Sequence, residues 1–218
     1  MPHTPRNLPR WVSELAPLTN RKVTNDDSFE LHSIGTVDGD FELLGWWPAL
    51  DEVTALSSRA AGLAHGNAVR LTLLGTPDEA TANELVSLGW AIQSHQVLLA
   101  APTNDVEQTA RIPETATLFE APLDAYDVVE IADFDAPAAR GRIRFADGFA
   151  LLSEPEILAS EHTEQFRTAI IANLAAAASS QGLSWLFMVA TADNPEGTRT
   201  SRGAGWSNAT QITQLSRA

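Results

Sequence analysis

TEQFRTAIIANLAAAASSQGLSWLFMVATADNPEGTRTSRGAGW, residues 163–206, decides the fold. Phe166, Ile170, Leu174 and Ala177 recur at helical spacing, and Ala169, Ile171 and Ala178 widen the stripe, which predicts a helix with one continuous apolar face. Gly182 ends it. The following SWLFMVA is too short for another helix and carries Trp185, Phe187 and Val189, so it is expected as a strand covered on both sides. A weaker helix and Gly205-Trp206 close the stretch.

The same order occurs earlier in the chain. Moved by 116 residues, Gly66 falls on Gly182, Asp78 on Asn194, Gly89 on Gly205 and Trp90 on Trp206, and each pair of glycines is 23 positions apart. Helix-turn-strand units recur in many α/β chains, but agreement at four special positions and in element order reads as an internal repeat. Trp90 and Trp206 are expected to plug the two cores, as large aromatics gain most from burial.

Working outward, residues 1–9 hold three prolines among polar neighbours and are expected as a flexible tail. Trp11, Val12 and Leu15 begin a short helix. SFELHSIGTV and DFELLGWW, joined by Asp38-Gly39-Asp40, form a hairpin. Leu50, Val53, Leu56, Ala60 and Leu63 predict a helix ending near Gly66, and Val69, Leu71 and Leu73 alternate with Arg70 and Thr72 in a strand with one drier face. Thr76 as cap and Pro77 as first residue open the next helix, with Ala82, Leu85 and Val86 inside and Gly89 at its end. AIQSHQVLLAA is a strand. The polar, Pro-flanked segment 103–112 reads as a linker between an N-terminal half, 10–102, and a C-terminal domain, 113–218. That domain opens with the strands ATLFEAP and VVEIADF, continues as two strands around Ala146-Asp147-Gly148 and a short one at EPEILAS, and ends on the strand ATQITQLSR. The fold class expected is α/β (α+β), a mixed sheet flanked by helices and built from two pseudo-repeats.

Composition narrows the function. With 218 residues and 44% hydrophobic, the chain buries a substantial core. A formal net charge of -14 opposes nucleic-acid phosphates and anionic membranes and favours a basic or neutral partner. The absence of cysteine excludes disulfides, thiolate metal sites and a Cys nucleophile. No two of His3, His32, His65, His95 and His162 have ligand spacing, so no metal is expected. Gly203-Ala204-Gly205 follows a helix rather than a strand and is no dinucleotide fingerprint, and neither a P-loop nor a G-x-S-x-G pattern occurs. No apolar run reaches 18 residues, and a cytoplasmic location is expected.

The order helix, Gly, strand, helix, Gly-aromatic, strand, with NPEGTRTSRGAGW carrying Asn194 and Gly205-Trp206 and with ARGRIRFADGFALLSEPEIL before it, resembles the GNAT superfamily of acyl-CoA-dependent N-acyltransferases. The likeness covers residues 113–218, and 30–101 more faintly as a second, decayed copy. In that family a splayed strand leads through an Arg/Gln-x-x-Gly-x-Gly/Ala loop into the long helix, whose backbone N–H groups hold the CoA pyrophosphate. The resemblance therefore implies acetyl-CoA as cosubstrate, held by Leu158, Ala159 and Ser160 at the strand end, by Gln165, Phe166, Arg167 and Thr168 at the helix start, and by Asn194. It implies a carboxylate base at Glu154 or Glu156, and it places Ser201 where the family has the Tyr that protonates the departing thiolate.

This chain departs from the pattern where the chemistry sits. No glycine occurs between Gly148 and Gly182, so Gln165 and Arg167 stand at the two loop-glycine positions, with Glu161 and Glu164 adding repulsion and His162 and Arg167 offsetting it. A Ser hydroxyl at 201 is a weaker acid than a phenol. Two readings follow: an active N-acetyltransferase acting on a primary amine, or a catalytically degenerate GNAT-fold protein that binds a ligand or protein partner. The partners expected are a small amine or the Lys side chain or N-terminus of a protein, and a second copy of the chain as a homodimer, with no nucleic acid and no membrane.

Overall fold

The computed structural model describes residues 6–192 and 205–217. In chain order they form α1 (Trp11–Leu18), β1 (Arg21–Asp26), β2 (Glu30–Gly35), β3 (Phe41–Trp46), α2 (Val53–Leu63), β4 (Val69–Leu74), α3 (Glu79–Ser87) and β5 (Ala91–Pro102). Then come β6 (Ala116–Pro122), β7 (Asp127–Asp133), β8 (Ala136–Phe145), β9 (Phe149–Leu152), β10 (Glu156–Ile157), α4 (Thr163–Ser180), β11 (Trp185–Thr191) and β12 (Ser207–Arg217). The helix expected between Asn194 and Gly203 lies outside the described residues. Two compact units emerge. The first runs to Val97 and takes back Thr210 onward, and the second is Leu98–Ala209, so segment 103–112 lies wholly within the second.

The first unit orders its strands β1-β2-β3-β4-β12-β5. The expected hairpin is β2 with β3, Glu30 facing Gly45 and Ile34 facing Phe41. Strand β1 adds to its outer edge with a bulge between Val23 and Asn25. Asp27 shapes the turn from β1 to β2: its carboxylate accepts from the N–H groups of Phe29 and Glu30, which hold its pKa below the ordinary carboxylate range. One face of the sheet packs Leu43, Leu71, Leu73 and Leu215 against Val53, Leu56, Ala60 and Leu85 of the two helices, with Trp90 closing the cluster at 1% exposure. Burying each such side chain contributes roughly 1.5–3 kcal/mol.

Several expectations for this unit need correction. Thr72 is fully buried, because its hydroxyl donates to the buried Glu42 carboxylate at 2.5 Å, so β4 has no wet face there. Glu42 in turn pairs with Arg21 at 2.8 Å, and Arg21 pairs with Asp40 at 2.8 Å while also reaching Ser33. Buried charges persist when they are paired and hydrogen-bonded, as these are. The cap of α3 is Asp78, which accepts from the Thr81 N–H, and the helix starts at Glu79 rather than at Pro77. Val86 is exposed, which leaves Leu85, with Ala82 packed beside it, as the inward residues of the expected three.

In the second unit α4 lies on β8, and the reason is Gly141. A Cβ there would sit 2.3 Å from Ile170 Cγ2 and 3.0 Å from a Leu174 methyl, so the missing side chain sets the distance between helix and sheet. Ala169, Ala172, Ala175 and Ala178, all buried, give α4 the same low profile. Strand β11 differs from expectation. Its buried face is Leu186, Met188 and Ala190, while Trp185 is 47% exposed, so it alternates instead of being covered on both sides.

The repeat is carried into three dimensions. Strands β4 and β11 begin 116 residues apart, as do β5 and β12. Gly66, Gly182, Gly89 and Gly205 all have positive φ, at 87°, 71°, 89° and 100°. Trp90 Nε1 donates to Ser57 Oγ at 2.9 Å. At the same offset, Trp90 corresponds to Trp206 and Ser57 to Asn173 on α4, and Trp206 Nε1 and Asn173 Oδ1 are both buried without a partner among the described residues. The hydrogen bond seen in the first copy is thus not reproduced in the second.

Two mutational outcomes follow from the packing. Gly141→Ala is expected to lower stability by about 1–3 kcal/mol through overpacking against Ile170, whereas Gly62→Ala, inside α2 with nothing near its absent Cβ, is expected to raise it by about 0.4–1 kcal/mol. Urea unfolding of both variants checks the opposite signs. Ser57→Ala strands the Trp90 indole N–H and is expected to cost about 1–3 kcal/mol. A double-mutant cycle with Trp90→Phe measures how much of that loss belongs to the bond.

Candidate functional site

The site is built around one extra residue. Leu152 of β9 faces Ile143 of β8, and Ser153 N–H still donates to the Arg142 carbonyl at 2.9 Å. Glu156 of β10 then faces Arg140, so four steps on one strand span three on the other. That is a β-bulge over Ser153-Glu154-Pro155, which bends the strand and interrupts its ladder. Pro155 contributes to the interruption because it has no N–H to donate.

The bulge opens a fork. Strand β11 runs parallel to β9, with Trp185 facing Phe149 and Met188 facing Leu152. Beyond the bulge β10 pairs with β8 alone, and Leu158 and Ala159 N–H groups both turn to the Ala138 carbonyl. Val189–Thr191 therefore continue with no ladder to β10 among the described residues. The first unit lacks this feature. Its equivalent parallel pair, β3 with β4, is registered from Phe41 facing Val69 to Trp46 facing Leu74, and Trp47 N–H adds one more bond to the Leu74 carbonyl at 3.2 Å.

Glu154 spans the fork. Its Oε2 accepts from the Thr191 N–H at 3.0 Å and from the Thr191 hydroxyl at 3.2 Å. Glu156 is exposed on β10. Leu158 and Ser160 are exposed and Ala159 half-buried along the chain from the fork to α4.

The N-terminus of α4 faces out with no side-chain cap, preceded by His162 in the left-handed conformation at φ 54°. The Phe166 N–H is the first to close a helical bond, to the His162 carbonyl at 2.9 Å. The N–H groups of Thr163, Glu164 and Gln165 thus have no intrahelical acceptor. Gln165, which the resemblance sets against a loop glycine, donates through Nε2 to the Arg111 carbonyl at 3.0 Å. Arg167 pairs with Glu164 at 3.6 Å. Thr168 is exposed, whereas Phe166 is fully buried with its ring edge-on to His162, a core residue rather than a surface contact. Its spacing to Ile170 and Leu174 already marked it as core. Asn194 and Ser201 lie outside the described residues.

The fork thus gathers Glu154, Glu156 and Thr191, with the open end of α4 at the end of the same stretch. Sequence reasoning missed the bulge and Thr191. Ser153-Glu154-Pro155 between two strand-like runs was the available signal. Among the described residues no group of three His, Asp or Glu side chains is placed to hold a metal ion, and no helix is long and apolar enough to cross a membrane.

No protein-family model matches the sequence, and no curated protein does. Solved structures do. A GCN5-related N-acetyltransferase from Kribbella flavida superposes with a TM-score of 0.64 at 17% identity, covering 94% of this chain and 92% of that one. A putative GNAT-family acetyltransferase from Novosphingobium aromaticivorans gives 0.58 at 13% identity over 99% of each chain. A tandem GNAT protein of the clavulanic acid biosynthesis pathway gives 0.59 at 10% identity over 86% of this chain and 77% of its own. With the forked parallel pair, the helix between its strands and the repeated frame, these likenesses identify the fold of this chain as that of the GNAT acetyltransferases.

Proposed function

We propose that this chain is an acyl-CoA-dependent N-acyltransferase whose working site is the fork of the second unit. The observation that carries the proposal is the contrast between the copies: one parallel pair stays zipped, and the other is parted by a bulge. An opened edge offers unpaired backbone groups to an extended, amide-bearing ligand such as the pantetheine arm. The N-terminus of α4 suits a pyrophosphate, since its first backbone N–H groups have no intrahelical acceptor and the helix dipole favours an anion. Leu158, Ala159, Ser160, Gln165, Arg167 and Thr168 would hold the cosubstrate, with Asn194 contributing as the family resemblance implies.

In this reading Glu156 is the general base, and Glu154 positions the fork through Thr191. A neutral amine attacks the thioester carbonyl, Glu156 takes the proton the amine loses, the C–S bond breaks and the thiolate is protonated from solvent or from Ser201. The acceptor is a small amine or a Lys side chain or N-terminus of a protein, drawn by the net charge of -14. A second reading, binding without acyl transfer, is favoured by one observation: Glu154 already occupies the parted strands through both Thr191 groups.

Titration with acetyl-CoA tests the site. Binding is expected to raise the melting temperature, with about 2.7 kcal/mol of stabilisation at a hundredfold excess over Kd. No shift at millimolar CoA would sink the proposal. With a polyamine or Lys peptide as acceptor, Glu156→Gln is expected to lower kcat/KM by about 10²–10⁴ while leaving CoA affinity unchanged. CoA binding without thiol release in the unsubstituted protein would decide for the second reading. For Glu154, the expected signature is local. Glu154→Ala removes the acceptor of the Thr191 N–H, so amide exchange at Thr191 should accelerate at least tenfold while exchange at Met188 stays unchanged.

A further inference from the structure

Strand β6 ends the strand order of the second unit, and nothing among the described residues pairs with its outer side. Its ladder with β7 is unbroken from Ala116 facing Asp133 to Pro122 facing Asp127. Phe134 N–H donates to the Thr115 carbonyl and Leu123 N–H to the Tyr126 carbonyl, which fixes Thr117, Phe119 and Ala121 as the residues bonded to β7. Leu118 and Glu120 therefore turn their N–H and C=O groups outward, and the carbonyls of Ala116 and Pro122 face the same way. Exposed apolar side chains lie on this strand and just past it: Phe119 is 55% exposed and Leu123 53%.

Natural sheets protect such edges with bulges, charge or Pro. Strand β1, the outer strand of the first unit, has a bulge and carries Arg21, Lys22 and Asp26. Strand β6 has no bulge and a single charge, Glu120, and its Pro122 stands at the last position. Acids predominate in the sequence around it. From Pro113 to Ala139 there is no Lys, Arg or His, while Glu114, Glu120, Asp124, Asp127, Glu130, Asp133 and Asp135 give seven acids. Arg140 pairs with Glu130, Arg142 lies over the Tyr126 ring, Arg144 donates to the Ala125 carbonyl and the Thr115 hydroxyl donates to Asp133, so three cations of β8 stand beside seven acids and the surface stays net acidic. A second copy would bring acid against acid at this edge. A basic strand meets complementary charge and finds its backbone bonds waiting.

We infer that the β6 edge binds an extended Lys- or Arg-bearing peptide segment by strand addition, backbone bonds forming at Leu118 and Glu120 and apolar side chains packing beside Phe119. The surface is separate from the fork, so this inference stands or falls independently of the acyltransferase reading. Leu118→Pro is the decisive variant. It deletes an outward N–H and leaves the bonds of Thr117 and Phe119 to β7 intact, and an edge strand tolerates Pro.

The probe is a fluorescein-labelled hexapeptide of alternating Lys and Val, followed by anisotropy at low salt. Leu118→Pro is expected to weaken binding at least tenfold, and Glu120→Lys to weaken it at least threefold with a shallower salt dependence. The same peptide N-methylated at alternate amides should not bind, which tests the backbone bonds from the ligand's side even if Leu118→Pro fails to fold. Equal binding of the methylated peptide would overturn the inference, since charge alone would then explain capture. A dimer in sedimentation that Leu118→Pro converts to monomer would also overturn it, because the edge would belong to a second copy.

Discussion

The last strand of the chain closes the first unit. Ile212 to Arg217 of β12 lie antiparallel to Leu74 to Val69 of β4, and Gly75 N–H donates to the Gln211 carbonyl at 2.9 Å. Leu215 belongs to the first unit's core, and Ser94 of β5 donates to Gln214 at 3.1 Å. Without β12 the first unit would expose the ladder groups of β4 and part of its apolar cluster. The second unit has the mirror-image dependence. Its strand beside β11 is the end of β5, from Leu98, and Ser207 donates to the Ala100 carbonyl at 3.1 Å. Each copy thus borrows its closing strand from the other's stretch of sequence. Folding must therefore bring together residues more than a hundred positions apart before either sheet is complete, and such contacts are slow to form.

Against that shared frame, the copies have diverged at the parallel strand pair. In the first, β3 and β4 stay registered to the end, and the buried Arg21, Asp40 and Glu42 set ties β1 to β3 while Thr72 joins Glu42 to β4. Removing one member of such a set leaves buried charge uncompensated, so the arrangement resists opening. In the second, the corresponding strand is broken by the bulge at Ser153-Glu154-Pro155, and among the described residues a side chain, Glu154, spans the gap. A carboxylate bridge between exposed groups is far easier to exchange for ligand than a row of backbone bonds.

What was legible in the sequence is what depends on local backbone. Gly66, Gly89, Gly182 and Gly205 mark positive-φ positions that other residues avoid, so they exposed the repeat and the helix ends. At Gly205 an added Cβ would also sit 2.7 Å from the Asp105 carbonyl, which leaves no room for a side chain. Periodicity gave α4, β4 and the hairpin of β2 with β3. Partner choice was not legible, because alternation along β5 and β12 reports burial and says nothing of which strand lies alongside. Burial of polar groups failed for the same reason: Thr72 reads as a wet position until Glu42, 30 residues away, is known to accept its hydroxyl. At the fork, Glu154 and Glu156 were legible as carboxylates but not in their different placements, one bonded to Thr191 and the other exposed on β10. The register that separates them depends on β8.

The missing loop glycines are less damaging to anion binding than side-chain bulk alone implies. A glycine at such a loop matters because nothing projects between the helix end and the ligand. Here the Gln165 side chain is held by the Arg111 carbonyl, and Arg167 is drawn to Glu164, so both substituents are committed to neighbours within the second unit. That same pairing offsets one of the two acids, Glu161 and Glu164, that would repel a phosphate. The donors themselves belong to the backbone of Thr163, Glu164 and Gln165, and α4 supplies them whatever the side chains are. The proposed anion site would thus rest on helix geometry, with the Gln165 and Arg167 side chains engaged by their neighbours.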